Sequence, residues 1–261
     1  MTTRLLSLAL AYLSITGMLL AQKPPTRIVD LSYAFSETSV YWPTAEGFKL
    51  NADWEGLTDQ GFYYTANSFA AAEHGGTHLD APIHFAEGKS SADEIPLKRL
   101  IAPAVLIDLE GKVGDNADYQ ISVADLEEWE ASHGQIPDDH ILLFRTGWGR
   151  FYPDPLRYLG TARKGTEAVA ELHFPGLHPQ AAEWLVKNRK IAAVGLDTAS
   201  IDYGQSKLFE SHQVLFKAEI PAFENVANLQ QLPRGGYEII ALPMKIEGGS
   251  GAPLRIVAVF R

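Results

Sequence analysis

Between His74 and His84 the chain reads His74-Gly75-Gly76-Thr77-His78-Leu79-Asp80-Ala81-Pro82-Ile83-His84, which gathers three of its eight histidines and an aspartate. Imidazole nitrogens and a carboxylate suit Zn2+, Mn2+ or Fe2+. On extended backbone, residues two apart share a side, so His78 and Asp80 point together, as do His74 and Gly76. A helix would align His74 with His78, but Gly75, Gly76 and Pro82 disfavour one. Two imidazoles and a carboxylate then form a facial set with positions open for water. His84 lies beyond Pro82 and need not bind metal. A neutral imidazole beside such a site serves as general acid or base near neutral pH. One buried histidine is ordinarily a hydrogen-bonded core residue. Four such groups on one irregular, glycine-rich stretch are harder to explain that way.

Composition narrows the alternatives. The chain has no cysteine, which removes disulfides, thiol nucleophiles and thiolate metal sites. Neither a Gly-x-Ser-x-Gly elbow nor a phosphate loop is present. A net charge of −10 with no clustered basic face argues against a nucleic-acid partner. With 46% hydrophobic and 10% aromatic residues, a sizeable core is available.

The cluster needs elements to hold it. Phe62 to Ala72 reads as a strand leading directly into it, and Pro82 blocks ladder pairing just beyond. Before it, Arg27–Ser32 reads as a strand, and the following stretch to Asp53 as loop and short strands. Trp42, Phe48, Tyr64 and Phe85 are candidates to stack on a flat aromatic ligand, although such residues are more often core. Ala104–Leu109, Ile141–Thr146 and Ile191–Leu196 read as buried strands. Ser122–Ser132 and His178–Lys187 read as helices, with Ser122 as a cap. Pro153–Lys164 is expected to run over the surface, and Ser211–Glu219 is either helical or extended. Tyr237–Leu242 and Leu254–Phe260, joined by a Gly248-Gly249-Ser250-Gly251 turn, suggest an antiparallel pair. Asp197 and Asp202 are expected to cap or bond turns. The expected fold is one compact α/β domain, residues 22–261, with a mixed, strand-rich core and a few flanking helices. Residues 1–21 read as a secretory signal peptide, with Arg4 before the apolar run Leu5–Leu20 and cleavage after Ala21; the alternative is an uncleaved anchor.

The run His-Gly-Gly-Thr-His-Leu-Asp-Ala-Pro-Ile-His resembles the His-x-Gly-Thr-His-x-Asp-x-Pro-x-His signature of the cyclase family, which includes bacterial kynurenine formamidases and isatin hydrolases. The resemblance extends from Asp30-Leu31-Ser32 to Gly251-Ala252-Pro253-Leu254-Arg255. It implies a swivelling β/β/α fold, with His74, His78 and Asp80 as ligands of a first metal and His84 as the catalytic acid/base. It further implies a second site, because His212 and Glu224 have the twelve-residue spacing and Glu-Asn context of the two-metal formamidases. Isatin hydrolases as a group lack that glutamate and work with one manganese. Glu219 competes with Glu224 for the role, but Glu224 stands in the family register.

The activity implied is metal-dependent hydrolysis of an amide-type C–N bond in a small aromatic substrate, arylformamides first, using one or two Zn2+ or Mn2+ per subunit. Ring-opening of an isatin-like cyclic amide is the alternative within enzymes, and a secreted metal-binding protein without catalysis is the alternative outside them. The resemblance also implies a homodimer or higher assembly. The signal sequence implies a secreted or periplasmic protein with no integral membrane domain once cleaved.

Overall fold

The computed structural model describes residues 27–260; the expected signal peptide lies outside them. The strands are β1 (Arg27–Asp30), β2 (Lys49–Leu57), β3 (Tyr63–Ala70), β4 (His78–Asp80), β5 (Ile101–Asp108), β6 (Gln120–Ile121), β7 (Ile141–Arg145), β8 (Gly176–Leu177), β9 (Ala193–Leu196), β10 (Ala222–Glu224), β11 (Tyr237–Pro243) and β12 (Gly251–Phe260). The helices are α1 (Leu97–Leu100), α2 (Glu110–Val113), α3 (Val123–His133), α4 (Pro155–Leu159), α5 (Pro179–Asn188) and α6 (Glu210–Lys217).

The main sheet runs β1-β12-β11-β5-β7-β9-β10-β4, and β4 also pairs with β12. That second pairing closes seven strands into a barrel and leaves β1 attached outside β12. Strands β5, β7, β9 and β10 are mutually parallel, whereas the β10–β4, β4–β12, β12–β11 and β11–β5 pairs are antiparallel. The parallel strands are buried on both faces, which is why they read as unbroken apolar runs such as Ile141-Leu142-Leu143-Phe144.

Alternation along the strands separates two cores. Leu79, Ala104, Ile141, Ala193, Phe223, Ile239 and Ala252, one from each barrel strand, meet in the interior. Ile107, Leu142, Phe144 and Val194 point outward, where Leu126 of α3, Leu185 of α5 and Phe216 of α6 cover them. The expected mixed α/β domain is therefore present, as a small barrel with helices on its outer face.

Several expected elements are found within a residue or two of their positions. Ser122 caps α3 in a full capping box with Asp125, and α5 begins at Pro179 with His178 as its cap. One expectation needs correction. Residues 49–57 form a nine-residue strand rather than loop and short strands, paired with β3 in an isolated ribbon. Both faces of this ribbon are exposed, with Leu57 at 73% and Tyr63 at 60%, so burial imposed no alternating pattern. Pro153–Lys164 runs over the surface as expected for most of its length, although α4 within it buries Tyr158 and Leu159.

Candidate metal centre

The strand that closes the barrel also carries the clustered ligands. Leu79 points into the barrel, so its neighbours His78 and Asp80 point out. The β4–β10 register sets His78 opposite Glu224, and directly opposed residues share a face, so these two side chains meet. Outside them lies α6, whose first turn brings His212 against the strands. Asp202 accepts the Ser211 and His212 backbone N–H groups at 3.1 Å each, which fixes the start of that helix.

Asp80 is the common point. Its Oδ1 lies 2.7 Å from His74 Nδ1 and 3.1 Å from His78 Nε2, and its Oδ2 lies 3.2 Å from His212 Nε2. Glu224 stands 3.5 Å from His78 Nε2 through Oε2 and 3.3 Å from His212 Nε2 through Oε1. Two groups result, His74–His78–Asp80 and Asp80–His212–Glu224, each with its ligand atoms within 4.8 Å of one another. All five residues singled out in the sequence as metal-binding are brought together. His84 belongs to neither group.

The donor set fits a divalent cation. His78 donates Nδ1–H to the Gly76 carbonyl at 2.9 Å, which leaves the lone pair on Nε2. That Nε2 is buried and makes no hydrogen bond, an orphan of the kind a metal satisfies. His212 gives Nδ1–H to Asp202 Oδ2 at 2.5 Å, which likewise turns Nε2 to the centre. Electrostatics agree. Burial opposes ionisation of Asp80, but His74, His78 and His212 hold it well below the usual carboxylate range. Glu224 is raised, first by burial and then by the Asp80 charge. Burial disfavours the charged form of His78 and His212, yet the carboxylates outweigh it, lifting His78 to about 9 and His212 well above its ordinary value. Protons on buried imidazoles thus balance buried carboxylates, and a cation would displace those protons.

His84 is placed beside the ligands rather than among them. Its ring stacks on His74 at 3.9 Å and 19°, and meets Phe85 edge-on at 4.5 Å. Among the described residues its side chain has no hydrogen-bond partner, and burial pushes its pKa down to about 4, so it is neutral near pH 7. The pocket over this cluster encloses about 300 Å³ and is walled by Tyr41, Trp42, Phe85 and Phe209. A larger surface groove of about 940 Å³ adjoins it through Tyr41 and Thr44 but holds none of the ligand residues.

Other candidates separate clearly. Trp42 and Phe85 line the pocket; Phe48 instead stacks on Phe69 at 5.7 Å, and Tyr64 sits half-exposed on the ribbon. Glu219 accepts from Ser90 N and pairs with Lys89, away from the cluster. Asp197 holds the turn at Thr146 and Gly147, as expected. Asp202 does more than cap, and the sequence reading missed its bond to His212. An aspartate before a helix carries no mark that separates the two tasks. Asn225 was also missed as a support: its Nδ2 donates to the Gly76 carbonyl at 2.8 Å, and Tyr158 donates to its Oδ1 at 2.9 Å. Thr77 secures the cluster loop through Asn225 O at 2.8 Å.

Comparison with known proteins agrees with this geometry. A family model described as putative cyclase matches residues 29–203. The isatin hydrolase of Roseibium aggregatum is 31% identical over 264 residues, covering 98% of this chain and 94% of the relative. A kynurenine formamidase of Erythrobacter litoralis is 28% identical over 235 residues, covering 90% and 94%. The solved isatin hydrolase A of Ralstonia solanacearum superposes with a TM-score of 0.80 at 34% identity, covering 90% of this chain and 92% of that one. Two His/Asp/Glu groups built to hold a divalent ion, on this fold and with these relatives, establish that the chain belongs to the cyclase family and is a metal-dependent hydrolase.

Proposed function

We propose that the protein opens a cyclic amide fused to an aromatic ring, a lactam of the isatin type. The observation that carries this is the His74–His78–Asp80 group at the floor of an aromatic-walled pocket, with the unpaired imidazole of His84 beside it. The isatin hydrolases, at 31% and 34% identity, support this substrate over the formamidase at 28%. His74, His78, Asp80, His212 and Glu224 hold the ion or ions, Zn2+ or Mn2+. A divalent ion there supplies a Lewis acid for the scissile carbonyl and makes water more acidic. Trp42, Phe85 and Phe209 enclose the flat ring and keep bulk water from it. His84 accepts the proton released as the new C–O bond forms and returns it to the nitrogen as the C–N bond breaks. The products are a carboxylate and a free amine, one water having been consumed.

A second reading, hydrolysis of an arylformamide, is favoured by one residue. Glu224 stands buried in the second ligand group, in the register the two-metal formamidases use. The test is metal content per subunit together with turnover of isatin and of an arylformamide after reconstitution with Mn2+ or Zn2+. Isatin opening is expected. Preference for the formamide with two ions bound would select the second reading, and no turnover of either would end both. His84→Ala should retain its metal and lose about 10²–10⁴-fold in kcat; loss of metal instead would make His84 a ligand.

Two properties of the intact protein complete the proposal. Residues 1–21 direct export to a secreted or periplasmic location, which N-terminal sequencing of the mature protein would test. The chain forms a homodimer, a reading supported by the exposed apolar ribbon, since an isolated two-stranded hairpin is marginal in water. Mass measurement in solution tests it. Among the described residues no helix is long and apolar enough to cross a membrane.

A further inference from the structure

The three ligand imidazoles are not supported equally. His78 leans on a backbone carbonyl and His212 on a carboxylate, and both are almost wholly buried, with side chains 3% and 4% exposed. His74 is the outlier at 25%. Nothing from its own loop fixes its outer nitrogen. That task falls to the turn that enters β12, far away in sequence.

His74 Nε2 lies 2.9 Å from Ser250 Oγ. Ser250 Oγ donates to Glu73 Oε2 at 2.6 Å, and Ser250 N donates to the same oxygen at 3.0 Å. With its proton committed to the carboxylate, the hydroxyl can only accept from His74. His74 therefore carries a proton on Nε2, and Nδ1, which donates to Asp80 at 2.7 Å, is the atom a cation would take in place of its proton. The residues flanking Ser250 complete the fit. A Cβ on Gly251 would stand 2.5 Å from His74 Cε1, and one on Gly249 would stand 3.0 Å from the Glu73 carboxylate. The ring of His74 is thus packed against Gly251 and against the stacked ring of His84. Backbone bonds bind the turn to the cluster as well, since Ser250 O accepts from Ala81 N at 2.9 Å.

We infer that Gly249-Ser250-Gly251 is a template for Glu73-His74, and that Ser250 and Glu73 are positioning residues that present His74 Nδ1 to the metal. The inference rests on the metal-centre reading but concerns only the His74 side of it. Groups that orient a ligand imidazole in this way are commonly worth 10–100-fold in metal affinity.

The test is calorimetric titration of the metal-stripped full chain with Mn2+, with circular dichroism to verify folding. Ser250→Ala should weaken the step that requires His74 by 10–100-fold. Ser250→Thr, which keeps the hydroxyl, should restore most of the affinity. Glu73→Ala should weaken it, and Glu73→Gln less so. Gly251→Ala, which presses on both the His74 ring and the Leu79 carbonyl, should weaken it as well. Unchanged Mn2+ affinity in a folded Ser250→Ala protein overturns the inference and leaves the metal centre standing. Equal losses in the Ala and Thr variants also overturn it, because the hydroxyl would then be immaterial. Absence of Mn2+ binding by the unsubstituted chain removes the metal reading, and the inference with it.

Discussion

Two buried carboxylate clusters in this molecule have opposite character. At the start of α3, Asp125 is 5% exposed and accepts from Ser122 N at 2.8 Å, Tyr119 OH at 3.0 Å and Lys112 Nζ at 2.7 Å. Burial raises the cost of its charge, but these donors prevail and hold its pKa below the ordinary value. One ammonium, shared with the exposed Glu128, meets the carboxylate, and the buried charge is settled within the protein. At the barrel's closing strand, Asp80 and Glu224 face one another across imidazoles, and the pKa of Glu224 is driven up. There, charge is settled only by extra protons or by a cation. Counting acidic residues would equate the two clusters; asking whether the local charge closes distinguishes a brace from a binding site.

The largest expected effect tests that distinction directly. Mn2+ at a thousandfold excess over its Kd should raise the unfolding free energy of the unsubstituted chain by about 4 kcal/mol. Asp80→Asn, which removes the shared ligand of both groups, should abolish that response in a denaturant titration. A gain that survives the substitution would break the comparison. Next in size, Asp202→Asn should lower Mn2+ affinity by about 10–100-fold while leaving the fold intact, because Asn cannot fix the His212 tautomer as a carboxylate does.

Smaller effects belong to the brace. Asp125→Asn should cost about 1 kcal/mol in chemical denaturation with Mn2+ stoichiometry unchanged. The smallest is its pH dependence. The folded pKa of Asp125 lies below its unfolded value of about 4, so its contribution is complete above that value. It is lost as pH falls through the lower folded pKa. The acid limb of the stability curve should therefore be steeper for the unsubstituted chain than for Asp125→Asn. Identical limbs would remove Asp125 as an acid-labile brace.

What the sequence revealed followed the distance between cooperating residues. His74, His78, Asp80 and His84 are legible because one short stretch carries them. His212 and Glu224 could be singled out only through the family pattern, since folding alone brings α6 and β10 to the cluster. Asp202 and Ser250 hold ligand imidazoles, and Asn225 holds the carbonyl behind His78, through hydrogen bonds whose residue types are ordinary for turns and caps. The fold shows the same limit. Apolar runs announced β5, β7 and β9, but a three-residue strand containing His78 and Asp80 has no apolar signature, so the barrel's closure was hidden. The ribbon formed by β2 and β3 was read only in part for the opposite reason, with no buried face to write a pattern.

That closing strand has a mechanical meaning. It is three residues long, and its ladder partners β10 and β12 flank it on both sides. Each flank also contributes to the centre, Glu224 from one and the Ser250–Gly251 turn from the other. An ion bound there is a rivet driven through a seam. The seam cannot part without pulling the ion's ligands asunder, and the ion cannot leave without freeing the seam. Slowed amide exchange at Leu79 on metal addition would record both events as one.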